Sequence, residues 1–195
     1  MKLLSDQIEQ KEIEIILREL RKTKNLSGDV VEFGCYVGTT SVFLARELET
    51  WTSSKQLWLY DSFEGLPEKS REDVNSLGED FKKGELLATK KQLISNLKKS
   101  GIKRLPIITK GWFNKLDESQ IPEKISFAFL DGDYYYSILD PLKLIWSKLE
   151  KGAIVIVDDY GNHALPGASK AVDEWCYRYN LSKKVETSLA IFRKL

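Results

Sequence analysis

The sequence has 195 residues, of which 42% are hydrophobic and 30% charged, as in a soluble globular protein. We expect one domain over residues 1–195 with a sizeable core. The net charge of +1 argues against a general nucleic-acid or membrane surface, because both partners favour a strong basic excess. No apolar run approaches the roughly 20 residues that cross a bilayer. The N-terminus turns polar at once, so we expect no signal peptide and a cytoplasmic protein.

The first third of the chain predicts a helix, a strand and a second helix. Residues 6–24 carry isoleucine and leucine at helical spacing, which predicts a helix that covers a sheet face or leans over a ligand site. The apolar run at residues 30–33 predicts a buried strand. Gly34 and Gly38 then bracket a tight turn, and Thr39 is a helix-capping residue type at the start of a helix that runs to about Glu49.

The remaining elements alternate between strand and helix. Helical spacing recurs from Leu86 to Gly101, at residues 138–149 and at about residues 168–179. Apolar runs predict strands at residues 57–60, 105–109, 125–130 and 153–157, and a closing hairpin at residues 184–186 and 189–193. The loops include Ser53 and Ser54, and a long polar excursion from Asp61 to Gly84 with the turn formers Gly65, Pro67, Asn75 and Gly78. This order predicts an α/β fold with a doubly wound, mostly parallel, seven-stranded sheet that ends in an antiparallel hairpin.

The strand, glycine turn and helix at residues 30–41 form a potential ligand site. Such a turn presents free backbone N–H groups and the positive end of a helix dipole. Glu32, late in the strand, would suit the positive amino-acid end of S-adenosylmethionine better than a pyrophosphate. The G-x-x-x-G spacing also departs from the G-x-G-x-x-G of dinucleotide-binding proteins. An ordinary strand-to-helix turn is the alternative.

Polar residues follow the predicted strands, and all would meet at one edge of a doubly wound sheet, where ligands bind. Asp61 follows Gly34 by 27 residues, close to the position at which an acid binds the ribose hydroxyls of a nucleoside cofactor. The alternative for Asp61 is a helix cap or turn residue. Trp112 follows the third predicted strand, and its indole would pack against the adenine or, alternatively, in the core.

Asp131, Asp158 and Asp159 end two strands that we expect to be neighbours. Three unpaired carboxylates in one volume repel one another, and a divalent cation such as Mg²⁺ removes that cost. Alternatively, Asp158 or Asp159 caps a following segment and Asp131 accepts a hydrogen bond from a ligand.

Other reactive residue types give weaker signals. His163 is the only histidine and a candidate base by its pKa range, although a lone loop histidine is often merely solvated. Tyr134, Tyr135 and Tyr136 would line a substrate pocket or pack. We assign Cys35 to packing, because no base is evident beside it. The sequence contains neither a G-x-S-x-G elbow nor a P-loop.

The segments VVEFGCYVGTTS, LYDSFEGLP, FKKGEL, GWF, FLDGDYYYS and VIVDDYGNHALPGASKAVDEW, in that order, resemble the macrocin O-methyltransferase family. The resemblance runs from about Val30 to the C-terminus. It implies a class I S-adenosylmethionine-dependent, Rossmann-like enzyme that methylates sugar hydroxyls with magnesium, on a small-molecule acceptor such as a sugar or natural product. Here the chain before the first strand is shorter than is usual in the family, and a homo-oligomer is left open.

The resemblance also implies roles for individual residues. Glu32, Gly34 and Gly38, with Thr39 beside them, would hold the methionine end of the cofactor. Asp61 and Ser62 would bind its ribose and Trp112 would flank its adenine. Asp131 would contact the cofactor, act as general base and bind the metal together with Asp158 and Asp159.

Two other classes remain open at this point. An NAD-dependent oxidoreductase shares the open sheet and the acid after the second strand, but not the glycine spacing or the carboxylate cluster. A non-catalytic S-adenosylmethionine-binding module would share the fold but would have no need for three metal-binding carboxylates.

Overall fold

The computed structural model describes residues 3–52, 54–74 and 81–195. It contains the strands β1 (Asp29–Phe33), β2 (Leu57–Asp61), β3 (Ile107–Lys110), β4 (Ile125–Leu130), β5 (Leu149–Val157), β6 (Lys183–Glu186) and β7 (Leu189–Arg193). They form one seven-stranded sheet in the order β3-β2-β1-β4-β5-β7-β6. The pairs from β3 to β5 are parallel, whereas β7 is antiparallel to both β5 and β6. The predicted mostly parallel sheet with a closing hairpin is confirmed.

Helices cover both faces of the sheet, namely α1 (Gln10–Lys22), α2 (Thr39–Glu49), α3 (Lys90–Lys99), α4 (Tyr135–Ile145) and α5 (Pro166–Arg178). Successive strand residues point to opposite faces, so that Val30 packs with α1, α2 and α3 whereas Val31 packs with α4 and α5. Because the sheet is covered on both sides, every residue of β4 is buried, and all of them except Ser126 are apolar. The sheet is therefore doubly wound, as expected.

The strand order reverses direction at β1, which lies between β2 and β4. The chain leaves β1 towards β2 and leaves β4 towards β5 on the other side, which opens a crevice at the carboxyl ends of β1 and β4. Gly34, Asp61 and Asp131 come at or just beyond these ends, so the topology brings all three to one edge of the sheet.

Several predicted boundaries were wrong. Leu86 and Leu87 precede α3, which begins at Lys90 because the Thr89 side chain accepts a hydrogen bond from the Gln92 N–H and caps it. Strand β3 begins at Ile107, just after Pro106, which has no N–H to donate to a ladder.

The helix predicted at residues 138–149 is α4, which begins earlier and ends earlier. Its start at Tyr135 is fixed by Asp73, whose carboxylate accepts a hydrogen bond from the Tyr135 N–H at 2.7 Å. One 3₁₀ turn covers Trp146–Lys148, and β5 already begins at Leu149. The predicted loop residues Ser53, Asn75 and Gly78 lie outside the described residues. In the described ranges, no helix combines the length and apolar character that crossing a bilayer requires.

Candidate active site

The turn between β1 and α2 is built on two glycines with left-handed backbone. Gly34 has a φ of 86° and Gly38 a φ of 90°. A Cβ atom at Gly34 would lie 1.7 Å from the carbonyl oxygen of Asp131, so only glycine lets β1 and β4 approach this closely. A Cβ atom at Gly38 would lie 2.4 Å from the Leu93 side chain. The glycine turn is therefore held directly against the end of β4.

Asp61 fixes the conformation of this turn. One oxygen of its carboxylate accepts hydrogen bonds from the N–H groups of Cys35 and Tyr36 at 2.8 and 3.1 Å, and the other accepts one from the Phe63 N–H at 2.7 Å. The same carboxylate borders the cavity described below. Asp61 thus joins the ends of β1 and β2, in keeping with its alternative assignment as a turn residue.

Glu32 is buried beneath the turn region, with 1% of its surface exposed, and does not line the cavity. Burial raises the pKa of its carboxyl to about 8. Its Oε2 atom has no hydrogen-bond partner within the described part of the chain. A buried carboxyl oxygen without a donor is costly unless a cation or a donor is supplied by a ligand.

An open cavity of about 770 Å³ lies at this edge of the sheet. Its wall includes the sequence-predicted residues Gly34, Asp61, Ser62, Trp112, Asp131 and Asp159. Tyr134 and Tyr136 also line it, whereas Tyr135 instead bonds through its hydroxyl to Glu174. Cys35 is buried among apolar residues, as its assignment to packing predicted.

Three carboxylates meet on the cavity wall. Asp131, Asp133 and Asp159 each place one oxygen within 4.8 Å of the other two. Asp133 and Asp159 have φ values of 63° and 58°, a left-handed conformation that non-glycine residues adopt mainly where the surroundings enforce it. Burial, followed by the charges of neighbouring aspartates, raises the pKa of Asp131 and of Asp133 well above the usual range. This is a charge arrangement that a divalent cation would stabilise.

Asp158 is not part of this group, although it was predicted as a metal ligand. Its Oδ1 atom accepts a hydrogen bond from the Asp159 N–H, and it lies 2.8 Å from the hydroxyl of Ser188, in the turn between β6 and β7. Burial, and then the charge of Asp159, raise the pKa of Asp158 to about 7. Both residues come after the end of β5, and the left-handed backbone at Asp159 brings Asp159, but not Asp158, into the carboxylate group.

The structure does not bring His163 to the cavity. Its side chain is exposed, and the neighbouring Asn162 lines the wall instead, with its Nδ2 donating to Asp159 Oδ1 at 3.0 Å. A base must lie within hydrogen-bond reach of the proton it removes, and His163 does not meet that condition for a ligand in the cavity.

The cavity wall contains two of the remaining predicted cofactor residues, Ser62 and Trp112, but not Thr39. Ser62 is buried in the wall, where its hydroxyl accepts from the Glu64 N–H. Trp112 is half-buried in the wall and belongs to none of the described core clusters. Thr39 is buried behind the wall, 2.9 Å from the Ser5 hydroxyl.

Sequence reasoning missed several wall residues. Asp133 belongs to the D-G-D triplet that follows β4, and its position two residues after Asp131 indicates a second carboxylate at the same edge of the sheet. Asp6 and Gln7 come to the wall from the segment before α1, whereas α1 itself begins at Gln10 and packs on a face of the sheet, the first of its two predicted placements.

The family model described as macrocin-O-methyltransferase (TylF) matches residues 10–192. The chain belongs to the macrocin-O-methyltransferase family. The resemblance that the sequence motifs carry is thereby confirmed, and the family match covers α1 as well as the sheet.

Two curated proteins are similar to this macrocin-O-methyltransferase family chain. One, from Streptomyces olivaceus, is named 8-demethyl-8-(2,3-dimethoxy-alpha-L-rhamnosyl)-tetracenomycin-C 4'-O-methyltransferase and is 29% identical over 168 residues, which are 81% of this chain and 61% of that protein. The other, demethyldecarbamoylnovobiocin O-methyltransferase from Streptomyces niveus, is 26% identical over 180 residues, 84% of this chain and 63% of that protein. The chain thus spans about three fifths of the length of these relatives.

Among solved structures, calicheamicin methyltransferase CalS11 superposes on this family member with a TM-score of 0.80 at 18% identity, over 94% of this chain and 78% of that one. The fold is therefore that of the Rossmann-like class I methyltransferases, as predicted.

Proposed function

We propose that this chain is an S-adenosylmethionine-dependent O-methyltransferase that methylates a hydroxyl of a small molecule, on a sugar or natural product, with the help of a divalent metal ion. One observation carries the proposal. The glycine turn and the aspartate group open into the same cavity, and Gly34 and Asp131 are in backbone contact between them. Both curated relatives are named as O-methyltransferases, which supports the same reaction class.

The cofactor would lie across the glycine turn. Glu32 lies beneath the turn rather than in the cavity wall, but its buried Oε2 atom lacks a partner within the described chain, and the positive amino group of the methionine end would supply one if it reached that depth. Asp61 uses one oxygen for the N–H groups of Cys35 and Tyr36, but its other oxygen accepts only the Phe63 N–H and has a second lone pair for a ribose hydroxyl. Trp112 offers an aromatic face to the adenine.

Asp131, Asp133 and Asp159 would hold the metal ion. Their carboxylate oxygens are ligands that suit magnesium. The raised pKa values of Asp131 and Asp133 reflect a repulsion between close carboxylates that a bound cation would relieve. When bound, a divalent ion supplies Lewis-acid chemistry that lowers the pKa of an acceptor hydroxyl. Asp158 supports this group from behind, because it accepts the Asp159 N–H.

Asp131 is the residue that we assign as general base. It adjoins both the cofactor turn and the other two carboxylates, so its oxygen would accept the proton that the acceptor hydroxyl loses as the methyl group is transferred. The cavity walls would position the acceptor against the cofactor, and such positioning supplies a large share of the rate.

The test measures methyl transfer from labelled S-adenosylmethionine to a panel of sugar, glycoside and catechol acceptors, with magnesium or with EDTA. We expect magnesium-dependent product. In parallel, S-adenosylhomocysteine at about 100 times its dissociation constant should stabilise the fold by about 2.7 kcal/mol. Stabilisation by NAD instead would favour the oxidoreductase class, and binding without turnover of any acceptor would favour the non-catalytic module. Cytoplasmic location and the oligomeric state stay predictions.

A further inference from the structure

One buried aspartate bonds the segment after β2 to the start of α4. Asp73 ends a 3₁₀ turn at Arg71–Asp73 and has 2% of its surface exposed. Its Oδ1 atom accepts a hydrogen bond from the Tyr135 N–H at 2.7 Å. Its Oδ2 atom accepts the Ser70 N–H at 2.9 Å and lies 2.6 Å from the Ser70 hydroxyl oxygen. Both carboxylate oxygens are therefore in use, one within the local turn and the other on a helix that is distant in the sequence.

Gly167, near the start of α5, leaves the space that this contact needs. A Cβ atom at Gly167 would lie 1.8 Å from Asp73 Oδ1 and 2.7 Å from the Tyr135 nitrogen, so no larger residue fits beside the bonded pair. Gly167 is helical and its φ is not positive, so its own backbone would accept an alanine, which is the better helix former. The glycine is therefore required by the position of the Asp73 carboxylate and not by the conformation of α5.

The bond to Tyr135 fixes the far end of the turn that carries Asp133. This turn connects β4 to α4, and Asp133 has its left-handed backbone two residues before Tyr135. The Tyr134 N–H bonds to the Gly132 carbonyl oxygen at 2.7 Å, and a Cβ atom at Gly132 would lie 2.6 Å from the carbonyl oxygen of Ser137. A left-handed non-glycine residue persists only where its surroundings hold it. If the Tyr135 N–H loses its acceptor, the turn can relax and the Asp133 carboxylate moves.

We propose that Asp73 is a positioning residue for the metal site: through the Tyr135 N–H it keeps Asp133 in the conformation that brings its carboxylate to Asp131 and Asp159. This inference rests on the proposed function. Asp73 lines the same cavity but is not a member of the carboxylate group, so it acts through the backbone of α4 and not as a ligand. Replacing a residue that orients metal ligands in this way typically costs roughly 10- to 100-fold in metal affinity.

The test is calorimetric titration of magnesium into protein saturated with S-adenosylhomocysteine, with variants that separate the position of the carboxylate from its charge. Asp73→Ala removes the acceptor, and Gly167→Ala keeps the charge but displaces the carboxylate, so both should weaken magnesium binding roughly tenfold or more. Asp73→Asn lacks the charge but keeps an oxygen for the Tyr135 N–H, so its magnesium affinity should stay within about threefold of the wild type. Thr89→Ala is the matched control, because it removes the side-chain cap of α3 outside the cavity wall. It should lower the melting temperature and leave magnesium affinity unchanged.

If Asp73→Asn loses as much magnesium affinity as Asp73→Ala while Gly167→Ala keeps it, the carboxylate acts by its charge alone and the inference is overturned. An equal loss of magnesium affinity in Thr89→Ala, or an equal loss of S-adenosylhomocysteine affinity in the Asp73 variants, would overturn it as well, since general destabilisation would then explain the effect. Unchanged magnesium affinity in Asp73→Ala removes this inference and leaves the proposed function intact. A wild type that binds S-adenosylhomocysteine but no magnesium instead removes the metal from the proposed function, and this inference with it. Melting temperatures of all variants check that they fold.

Discussion

Replacing Asp61 by asparagine should destabilise the cofactor-free protein as well as weaken cofactor binding. The carboxylate accepts three backbone N–H groups, from Cys35, Tyr36 and Phe63, at 2.8, 3.1 and 2.7 Å. An asparagine has one oxygen, so at best it keeps the first two bonds and sets its own NH₂ against the Phe63 N–H. A lost hydrogen bond to a charged group costs about 1.5–3 kcal/mol, and we expect the free energy of unfolding to fall by about 2–3 kcal/mol.

Urea denaturation without cofactor measures this loss, which corresponds to a drop of about 4–12 °C in melting temperature for a chain of this size. The matched control is Asp29→Asn at the opposite edge of the sheet, where the Asp29 carboxylate accepts from the Gln56 N–H and Trp58 Nε1. It should lower stability but leave the affinity of the folded protein for S-adenosylhomocysteine unchanged. If Asp61→Asn stays within about 0.5 kcal/mol of wild type, the three bonds do not hold the turn and the reasoning is refuted.

Three further predictions concern single side chains. Burial raises the pKa of Glu32 to about 8, so its contribution to stability is complete below pH 4.5 and is lost as the pH rises through 8. In urea denaturation, Glu32→Gln should therefore match the stability of the wild type at pH 5 and exceed it at pH 9. If the stabilities of the two proteins change in parallel with pH, this prediction is wrong. Asp133→Asn should weaken magnesium binding in calorimetry far more than Asp158→Asn, because of these two residues Asp133 alone belongs to the carboxylate group. A larger loss of magnesium affinity in Asp158→Asn would instead identify Asp158 as a ligand. Trp112→Ala should weaken S-adenosylhomocysteine binding at little cost in stability, whereas a loss of about 3–5 kcal/mol would show a core residue.

The sheet could be predicted because strands that are buried on both faces are continuous apolar runs in the sequence. Five strands were recognisable as short apolar runs between turn residues and the last two as a closing hairpin, and their order with the helices implied the parallel pairing. Once the sheet is known, the position of the site follows, because the residues that end its parallel strands β1, β2, β4 and β5 come to one edge. Family resemblance then supplied the reaction class.

The details of the site that the sequence did not predict depend on the backbone conformation of single residues. Asp158 and Asp159 are adjacent in sequence, and only the left-handed turn at Asp159 decides which of them reaches the cavity. Asp133 enters the group through a similar turn two residues after Asp131. The early start of α4 has the same kind of cause, since the cap at Tyr135 comes from Asp73, 62 residues away in the chain.

The Ser188 hydroxyl links α1 and the β6–β7 hairpin to the candidate site. It lies within hydrogen-bond distance of the carboxylates of Glu12 in α1 and of Asp158 beside the carboxylate group. Asp158 in turn accepts a hydrogen bond from the Asp159 N–H, so a chain of polar contacts runs from the hairpin to the cavity wall. A displacement of the hairpin would therefore reach the carboxylate side of the cavity through a single hydroxyl.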